Sequence, residues 1–137
     1  MAKTIPFKLI GPRKTLFQGE AELVIAVTTE GEEGILADHA PMLAALKPGV
    51  LRANTVQDGV PKRLEFANAE GFMQVLPDRI TILIDDAVTG PDVDRTQANA
   101  DREAAEGELA TLTPFTPEYD RAKARLDFAK AKLALTR

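Results

Sequence analysis

The sequence predicts an α+β protein, with β-strands in roughly the first two thirds and two α-helices in the rest. Short apolar runs bounded by turn residues recur about every 10 residues in the first part, a spacing typical of a β-sandwich or barrel. After Thr89-Gly90-Pro91, apolar residues recur at spacings of three and four, which is the period of a helix. Because all strand-like segments precede all helix-like segments, alternating βαβ units are not predicted.

The strand-like region contains two predicted hairpins. Asp58-Gly59 separates two apolar runs and suits a tight turn, and Pro77-Asp78 separates another pair. Residues 31–34, Gly-Glu-Glu-Gly, are too short a pattern for a phosphate-binding loop, so we expect a turn there. The predicted strands are Phe7–Ile10, Leu23–Val27, Val50–Val56, Val60–Phe66, Phe72–Leu76 and Arg79–Ile84.

The last part of the chain predicts two helices. Asp92 is a suitable N-cap for a first helix that runs to about Leu112. Residues 113–115 break this helix, and Thr116 caps a second one with Pro117 at its first position. The apolar positions are Ala98, Ala105, Leu109 and Leu112 on the first helix and Tyr119, Ala122, Leu126, Ala129 and Leu133 on the second.

The two helices are expected to pack antiparallel, since a short loop joins them. The first is mostly acidic and the second mostly basic, and each exposed ion pair between them contributes about 0.2–1 kcal/mol. Much of the apolar seam is alanine, which buries three fewer carbons than leucine, each worth about 0.8 kcal/mol. Gly107 weakens the first helix by about 1 kcal/mol relative to alanine. We therefore expect a hairpin that is helical but weakly docked, and able to move relative to the strands.

Composition and residue usage argue against several classes of protein. The net charge of −4 argues against nucleic-acid binding, and the absence of cysteine excludes disulfides and thiolate metal sites. His39 is the single histidine and has no nucleophile beside it, so no catalytic residue is assigned. Asp85, Asp86, Asp92 and Asp94 suit a strand end and a helix start better than a metal site. With no secretory signal and no apolar run near ~20 residues, we expect a soluble chain that reaches a membrane only through another protein.

One stretch of the sequence carries a family resemblance. Residues 30–43 read EGEEGILADHAPML, which contains the family pattern G-E-x-G-I-x-x-x-H-A-P. Leu46-Lys47-Pro48-Gly49, Gly71-Phe72, the run 75–87, residues 7–17 and Gly19 match as well. On these residues the whole chain resembles the epsilon subunit of the rotary proton-translocating ATP synthase. The resemblance implies a ten-stranded antiparallel β-sandwich in residues 1–90, followed by an antiparallel two-helix hairpin in residues 91–137.

The resemblance also implies a function. It implies a non-catalytic subunit of the central stalk, or rotor, which couples proton flow through the c ring to ATP synthesis. The implied partners are the gamma subunit and the c-subunit ring, with transient contacts to the alpha and beta subunits and none to nucleic acid. The implied location is peripheral, at the cytoplasmic face of a bacterial plasma membrane, without insertion into the bilayer.

Partner-binding residues follow from the same resemblance. Glu30 is the acidic residue expected nearest the polar loops of the c ring. Where the family often has Pro-Gly before the histidine, this chain has Ala37-Asp38, which adds a negative charge to the loop. The implied interface with gamma and the c ring comprises Glu30, Gly31, Glu32, Gly34, Ile35, His39, Ala40, Pro41, Met42 and Leu43.

Some bacterial relatives bind ATP on the hairpin through an I/L-D-x-x-R-A motif, which residues 93–98 match incompletely. Asp94 and Ala98 are retained, but Gln97 replaces the arginine and removes a bidentate phosphate donor. Phe128 stands where ATP-binding relatives carry another basic residue, so we expect weak or absent ATP binding and no cofactor. In relatives, basic residues of the second helix contact the catalytic head and restrain ATP hydrolysis. The matching residues here are Arg121, Lys123, Arg125, Lys130 and Lys132.

Two other functions stay open at the level of sequence. One is a nucleotide-sensing or metabolite-sensing binding protein that uses the hairpin as a lid, which the loss of the arginine at Gln97 weakens. The other is a small enzyme built on the acidic cluster, for which no nucleophile or base is found.

Overall fold

The computed structural model describes residues 3–136 and contains nine strands, a short 3-10 helix and two α-helices. The predicted α+β class, with strands before helices, is confirmed, although ten strands were expected. The 3-10 helix spans Gly90–Asp92, and the α-helices are α1 (Arg95–Thr111) and α2 (Pro117–Ala134). The strands are β1 (Ile5–Ile10), β2 (Thr15–Thr28), β3 (Gly31–Leu36), β4 (Met42–Leu46), β5 (Gly49–Gln57), β6 (Val60–Asn68), β7 (Gly71–Leu76), β8 (Arg79–Ile84) and β9 (Ala87–Val88).

The long strand β2 joins the two parts of the strand assembly. Its N-terminal half pairs with β1, and its C-terminal half pairs with β3 and β5 and meets β4 at Thr28. A register shift between Ala21 and Leu23 lies where β2 leaves β1. The hydrogen-bonded order is β1-β8-β7-β4-β2-β5-β6-β9, with β3 attached to β2 outside that path. All of these pairings are antiparallel except that of β1 with β8, which is parallel.

Alternate residues of the strands fill one apolar core, as period-two patterning requires. Phe7 and Leu9 on β1 are almost fully buried, and so are Ile80 and Ile82, which lie on the neighbouring β8. The core consists of Ile5, Phe7, Leu9, Ala21, Val24, Ala26, Ile35, Leu46, Leu51, Ala53, Phe66, Met73, Val75, Ile80, Ile82 and Ile84. The core is therefore built by the strands alone, without a contribution from the helices.

The turns follow local backbone chemistry. Asp58 and Gly59 both have positive φ, 53° and 76°, as a two-residue hairpin between β5 and β6 requires. The expected turn at residues 31–34 is wrong, because these residues form the first part of β3 and pair with Ile25–Thr28. Only Gly31, with φ of 117°, adopts a turn conformation there, next to the true turn at Thr29 and Glu30.

The predicted N-cap is confirmed for α2 and is wrong for α1. Thr116 caps α2 through its hydroxyl, which accepts a hydrogen bond from the Tyr119 amide. The predicted cap Asp92 is wrong, because the N-cap of α1 is Asp94, whose carboxylate accepts from the Gln97 amide at 3.0 Å. Asp92 instead ends the 3-10 helix and accepts a hydrogen bond from the Thr89 hydroxyl.

The helical hairpin packs through small residues. Ala98 and Ala105 of α1 and Ala122 and Ala129 of α2 are buried, with Leu126 as the one large fully packed side chain among the buried residues of the pair. An attraction between the acidic α1 and the basic α2 was expected. Among the described residues, one ion pair joins the two helices, between Glu108 of α1 and Arg125 of α2. Each of the other ion pairs joins two residues of the same helix, one such pair in α1 and two in α2.

Helix α2 is the part of the hairpin that rests on the strands, where it packs against β5 and β6. Ala67 of β6 is fully buried and yet does not belong to the strand core. Its neighbour Phe66 faces that core, so alternation places Ala67 on the outer face, opposite Val50 of β5. We infer that α2 covers this small residue, which gives the docking surface little apolar area.

Gly71→Ala is expected to destabilise the protein. A Cβ at Gly71 would lie 2.0 Å from the Leu83 carbonyl oxygen and 2.9 Å from the Ile84 Cα, both of them backbone atoms of the paired strand. We expect the free energy of unfolding to fall by about 1–3 kcal/mol, as for other overpacked sites. Chemical denaturation followed by circular dichroism measures it.

Gly107→Ala is the matched control for that substitution. Gly107 lies inside α1 with open space around it, so the same change should raise the free energy of unfolding by about 0.5–1 kcal/mol. Equal stability of Gly71→Ala and the parent chain would contradict the close approach of β7 and β8.

Candidate partner-binding surface

Residues 30–43, which carry the family motif, form the turn after β2, strand β3, the loop that follows it and the start of β4. Glu30, Glu32 and Gly34 are exposed, and so is Leu43 at the start of β4. Ile35 differs from the others because it is fully buried in the strand core. It therefore holds β3 in place and is not available to a partner in the folded chain.

The turn that carries Glu30 is fixed by short-range hydrogen bonds. The Thr28 hydroxyl donates to the Gly31 carbonyl oxygen at 2.8 Å and accepts from the Glu30 amide at 3.1 Å. The Thr29 amide donates to the Ala45 carbonyl oxygen at 3.1 Å, which ties the turn to β4. The Glu30 carboxylate forms no ion pair with any residue in the range 3–136. The turn thus presents an uncompensated negative charge on a rigid support.

Glu32 is less available than Glu30. Its carboxylate accepts a hydrogen bond from the Arg52 guanidinium at 2.8 Å, and both side chains lie partly in solvent. This ion pair links β3 to β5 across β2, because Val27 pairs with Glu32 and Ile25 pairs with Arg52. Glu32 therefore contributes to the position of β3. We call residues 29–32 the acidic turn. Within it, Glu30 is the acidic residue that faces solvent and has no ion-pair partner among residues 3–136.

The loop between β3 and β4 contains the family histidine. The His39 amide donates to the Leu36 carbonyl oxygen at 3.0 Å, and its Nδ1 donates to the Ala40 carbonyl oxygen at 2.7 Å. The ring is therefore used in shaping the loop. The additional charge at Asp38 is offset by Lys3, whose Nζ lies 3.3 Å from the Asp38 carboxylate. Because both side chains are largely exposed, this pair contributes little to stability.

A row of apolar side chains on the outer face of the sheet, next to the acidic turn, was not predicted as a surface. Phe72 and Leu83 are 58% and 51% exposed, and they pair with each other across β7 and β8. Phe72 also pairs with Ala45 on β4, and Leu83 pairs with Ile10 on β1. The four residues form one row across four neighbouring strands, hereafter the apolar row. Leu43, which is 72% exposed, extends the row along β4.

Alternation within each strand was the signal that could have revealed the apolar row. In β7 the core residues are Met73 and Val75, and in β8 they are Ile80, Ile82 and Ile84. Successive residues of a strand point to opposite faces, so Phe72, next to Met73, and Leu83, between Ile82 and Ile84, must lie on the outer face. This alternation is visible within each strand, but the alignment of the outer residues into one row depends on pairings between distant segments.

The apolar row and the acidic turn form one continuous surface. A cleft of about 500 Å³ runs along the row, and its lining includes Thr29, Ala45, Phe72 and Leu83. Lys47, Glu70 and Asp85 supply charged groups at its margin. An apolar centre with a charged margin is the usual arrangement of a protein–protein interface.

The residues of the incomplete ATP motif serve the helix itself. Asp94 is the N-cap of α1, and Ala98 is buried. Gln97 donates from Nε2 to the Asp101 carboxylate at 2.8 Å, so its amide is not directed at a ligand. A groove of about 310 Å³ between the helices contains Phe128, whose ring lies 4.2 Å from the Lys132 Nζ.

Most of the basic side chains assigned to α2 have acidic neighbours in the chain. Arg125 pairs with Glu108 of α1. Arg121 lies 3.6 Å from Glu118, and Lys123 lies 2.7 Å from Asp127. Lys130 is exposed and forms no ion pair with any of the described residues. These exposed pairs hold their partners weakly.

The acidic cluster does not assemble into a metal site. Between residues 3 and 136 no group of three or more histidine, cysteine, aspartate or glutamate side chains is placed to hold a metal ion. Asp86 accepts a hydrogen bond from the Ala87 amide, and the aspartates at 92 and 94 act in the 3-10 helix and at the α1 cap. Over the same range, no helix has the length and apolar character needed to cross a bilayer.

Comparison with known proteins identifies the family. A profile of the ATP synthase Delta/Epsilon chain beta-sandwich domain matches residues 4–90. The ATP synthase epsilon chain of Magnetococcus marinus is 36% identical over 134 residues, which cover 98% of this chain and 95% of the relative. The chain belongs to the ATP synthase epsilon-chain family. The ATP synthase epsilon chain 1 of Methylococcus capsulatus is 39% identical over 133 residues, covering 97% of this chain and 92% of the relative.

Two solved structures contain a chain with the same fold. A chain of the Euglena gracilis mitochondrial ATP synthase, solved as OSCP, F1 and c-ring, aligns with a TM-score of 0.79 at 21% identity, covering 98% of this chain and 82% of that one. A chain of the Tetrahymena thermophila mitochondrial ATP synthase central stalk and c-ring aligns with a TM-score of 0.65 at 22% identity, covering 99% and 98%. The family resemblance inferred from the sequence is confirmed. As an epsilon chain, the protein is a non-catalytic subunit of an ATP synthase, and the enzyme hypothesis is set aside.

Weak or absent ATP binding stays a prediction for this epsilon chain. The Gln97 amide is hydrogen-bonded to Asp101, and the Arg125 guanidinium in the groove is paired with Glu108. A triphosphate would have to displace these contacts without the bidentate arginine that phosphate recognition favours. Isothermal titration should show no saturable heat at micromolar ATP. Micromolar or tighter affinity would contradict the expectation and revive the nucleotide-sensor hypothesis.

Proposed function

We propose that the chain is the central-stalk rotor subunit that couples proton flow through a c ring to ATP synthesis. The observation that carries the proposal is the continuous surface formed by the apolar row and the acidic turn. Transmission of torque requires a rigid body held by its neighbours through apolar area, with charged groups that set the register. The two solved neighbours belong to assemblies described as F1 with a c-ring in one case and as a central stalk with a c-ring in the other.

The apolar row is proposed to bind the gamma subunit. Phe72, Leu83 and Leu43 expose large apolar side chains from a sheet whose other face is the protein core. Aromatic and large apolar residues at the centre of an interface carry most of its binding energy. In the isolated chain these side chains are in contact with water, so their burial against gamma supplies a hydrophobic driving force.

The acidic turn is proposed to contact the polar loops of the c ring, together with Gly31, Gly34, His39, Ala40 and Pro41. Glu30 provides a charge for register, and the hydrogen bonds of Thr28 and Thr29 keep its backbone fixed. In this arrangement the protein lies at the periphery of the cytoplasmic face of a bacterial plasma membrane. It reaches the bilayer through the ring and not by insertion.

Residues 1–90 are proposed as the domain that binds gamma and the ring, and residues 91–137 as a separate, mobile regulatory domain. The small docking area around Ala67 and the alanine-rich seam support this division. In this proposal, the basic residues of α2 exchange their internal acidic partners for acidic residues of the alpha and beta subunits and restrain ATP hydrolysis. An unchanged hydrolysis rate of the assembled complex after Arg121→Gln and Lys130→Gln would argue against the restraint.

Phe72→Gln is expected to weaken binding to the gamma subunit by at least roughly tenfold, because a large apolar contact is replaced by a polar one. Since Phe72 is more than half exposed, the thermal midpoint should change little. Titration of purified gamma measures the affinity. Val60→Gln is the control, since Val60 is 55% exposed at the distant β5–β6 hairpin. An equal loss of affinity in both variants, or none in Phe72→Gln, would refute the assignment of the apolar row.

Glu30→Lys is expected to lower proton-driven ATP synthesis by roughly two- to tenfold, because the charge that sets the register on the ring is reversed. Affinity for gamma should stay unchanged, since the apolar row is intact. Membrane vesicles with the reassembled complex provide the measurement. Glu20→Lys makes the same charge change at an exposed position in the first half of β2, eight residues from the end that leads into the acidic turn. Full synthesis in the Glu30 variant would remove the acidic turn from the proposal.

A further inference from the structure

The open end of the helical hairpin, where α1 begins and α2 ends, contains contacts that the helices themselves do not require. The Arg95 Nη1 donates to the Thr136 hydroxyl at 2.9 Å and to the Thr136 carbonyl oxygen at 3.3 Å. The two residues are 41 positions apart, so these bonds connect the start of the hairpin to its end. The Thr136 hydroxyl also donates to the Leu133 carbonyl oxygen at 2.9 Å, which holds Thr136 in the turn directly after the α2 C-cap, Leu135.

The location of Arg95 is unfavourable for α1 alone. Arg95 is the first residue of that helix, directly after its N-cap, and the first turn contains no acidic residue. A cation at a helix N-terminus is repelled by the helix dipole, whereas a cation at a C-terminus is attracted. The Arg95 side chain reaches the C-terminal end of α2, where the dipole of that helix attracts a cation. The contact with Thr136 therefore offsets a local electrostatic penalty in α1.

The linker before α1 approaches the same end of α2. A Cβ at Gly90 would lie 3.1 Å from the Leu135 carbonyl oxygen and 3.8 Å from the Leu135 Cβ. The linker is held in shape by the 3-10 turn, in which the Asp92 amide donates to the Thr89 carbonyl oxygen. Absence of a side chain at Gly90 thus allows the backbone to lie directly against the end of α2.

We propose that Arg95, Thr136 and the Gly90–Leu135 contact form a latch that closes the hairpin against its linker without any ligand. The rest of the hairpin is held by an alanine seam and by exposed ion pairs, which resist separation weakly. Movement of α2 away from the linker must break the latch, so the latch lowers the population of the open hairpin. It acts within the chain itself and does not depend on the proposed partners.

Arg95→Gln tests the latch in the full chain. The variant keeps a hydrogen-bond donor but loses the charge, so amide hydrogen exchange in the last two turns of α2 should accelerate by roughly threefold or more. Thr136→Val should act in the same direction, and the double variant should add little to Arg95→Gln. Arg121→Gln is the matched control, because Arg121 pairs with Glu118 on its own helix. Exchange rates in Arg95→Gln equal to those of the control would overturn the latch.

A disulfide provides a second, independent measurement. A Cβ at Gly90 would lie 3.8 Å from the Leu135 Cβ, which is within the range found in disulfides. The natural chain has no cysteine that could compete with an introduced pair. The Gly90→Cys/Leu135→Cys variant should therefore oxidise to an internal disulfide. Once oxidised, it should suppress the faster exchange caused by Arg95→Gln. Failure of the pair to oxidise, or faster exchange that persists in the oxidised protein, would also overturn the proposal.

Discussion

The fold and its binding surface depend on one constraint, the division of β2 between different partners. This strand of 14 residues pairs with β1 over its first half and with β3 and β5 over its second. Buried side chains at Val24, Ala26 and Thr28 anchor the second half in the core. Because β2 also meets β4 at its end, the following turn is held on two sides. The rigid position of Glu30 is therefore a consequence of strand pairing and not of the turn residues alone.

The sequence predicted the parts of the fold that have a local cause. Asp58-Gly59 has the positive φ values of a tight hairpin, and Thr116-Pro117 caps and starts a helix. Strand β3 was missed because its glycines and glutamates hide the apolar alternation, and Ile35 alone faces the core. The parallel pairing of β1 with β8 was beyond prediction, since it joins segments about seventy residues apart with no local signal.

The candidate site shows the same division between local and distant causes. The acidic turn was found because a contiguous motif of residues 30–43 carries it. The apolar row was missed because Ile10, Ala45, Phe72 and Leu83 come from four separate strands and meet only through their register. Each was visible as an apolar residue, yet an isolated exposed apolar residue is ordinary on protein surfaces. Only their alignment joins them into one continuous apolar surface.

The two parts of the chain offer surfaces that differ in what a partner must displace. On the sandwich, the apolar row and Glu30 have no internal partner among residues 3–136, so a protein that binds there removes only water. On the hairpin, a partner acid must compete with Glu108 for Arg125 or with Asp127 for Lys123. Exposed pairs of this kind contribute about 0–1 kcal/mol, so exchange is easy but its net gain is small. We therefore expect long-lived attachment through the strands and short-lived, reversible contacts through the helices, which is the behaviour that a permanent rotor part with a switchable appendage requires.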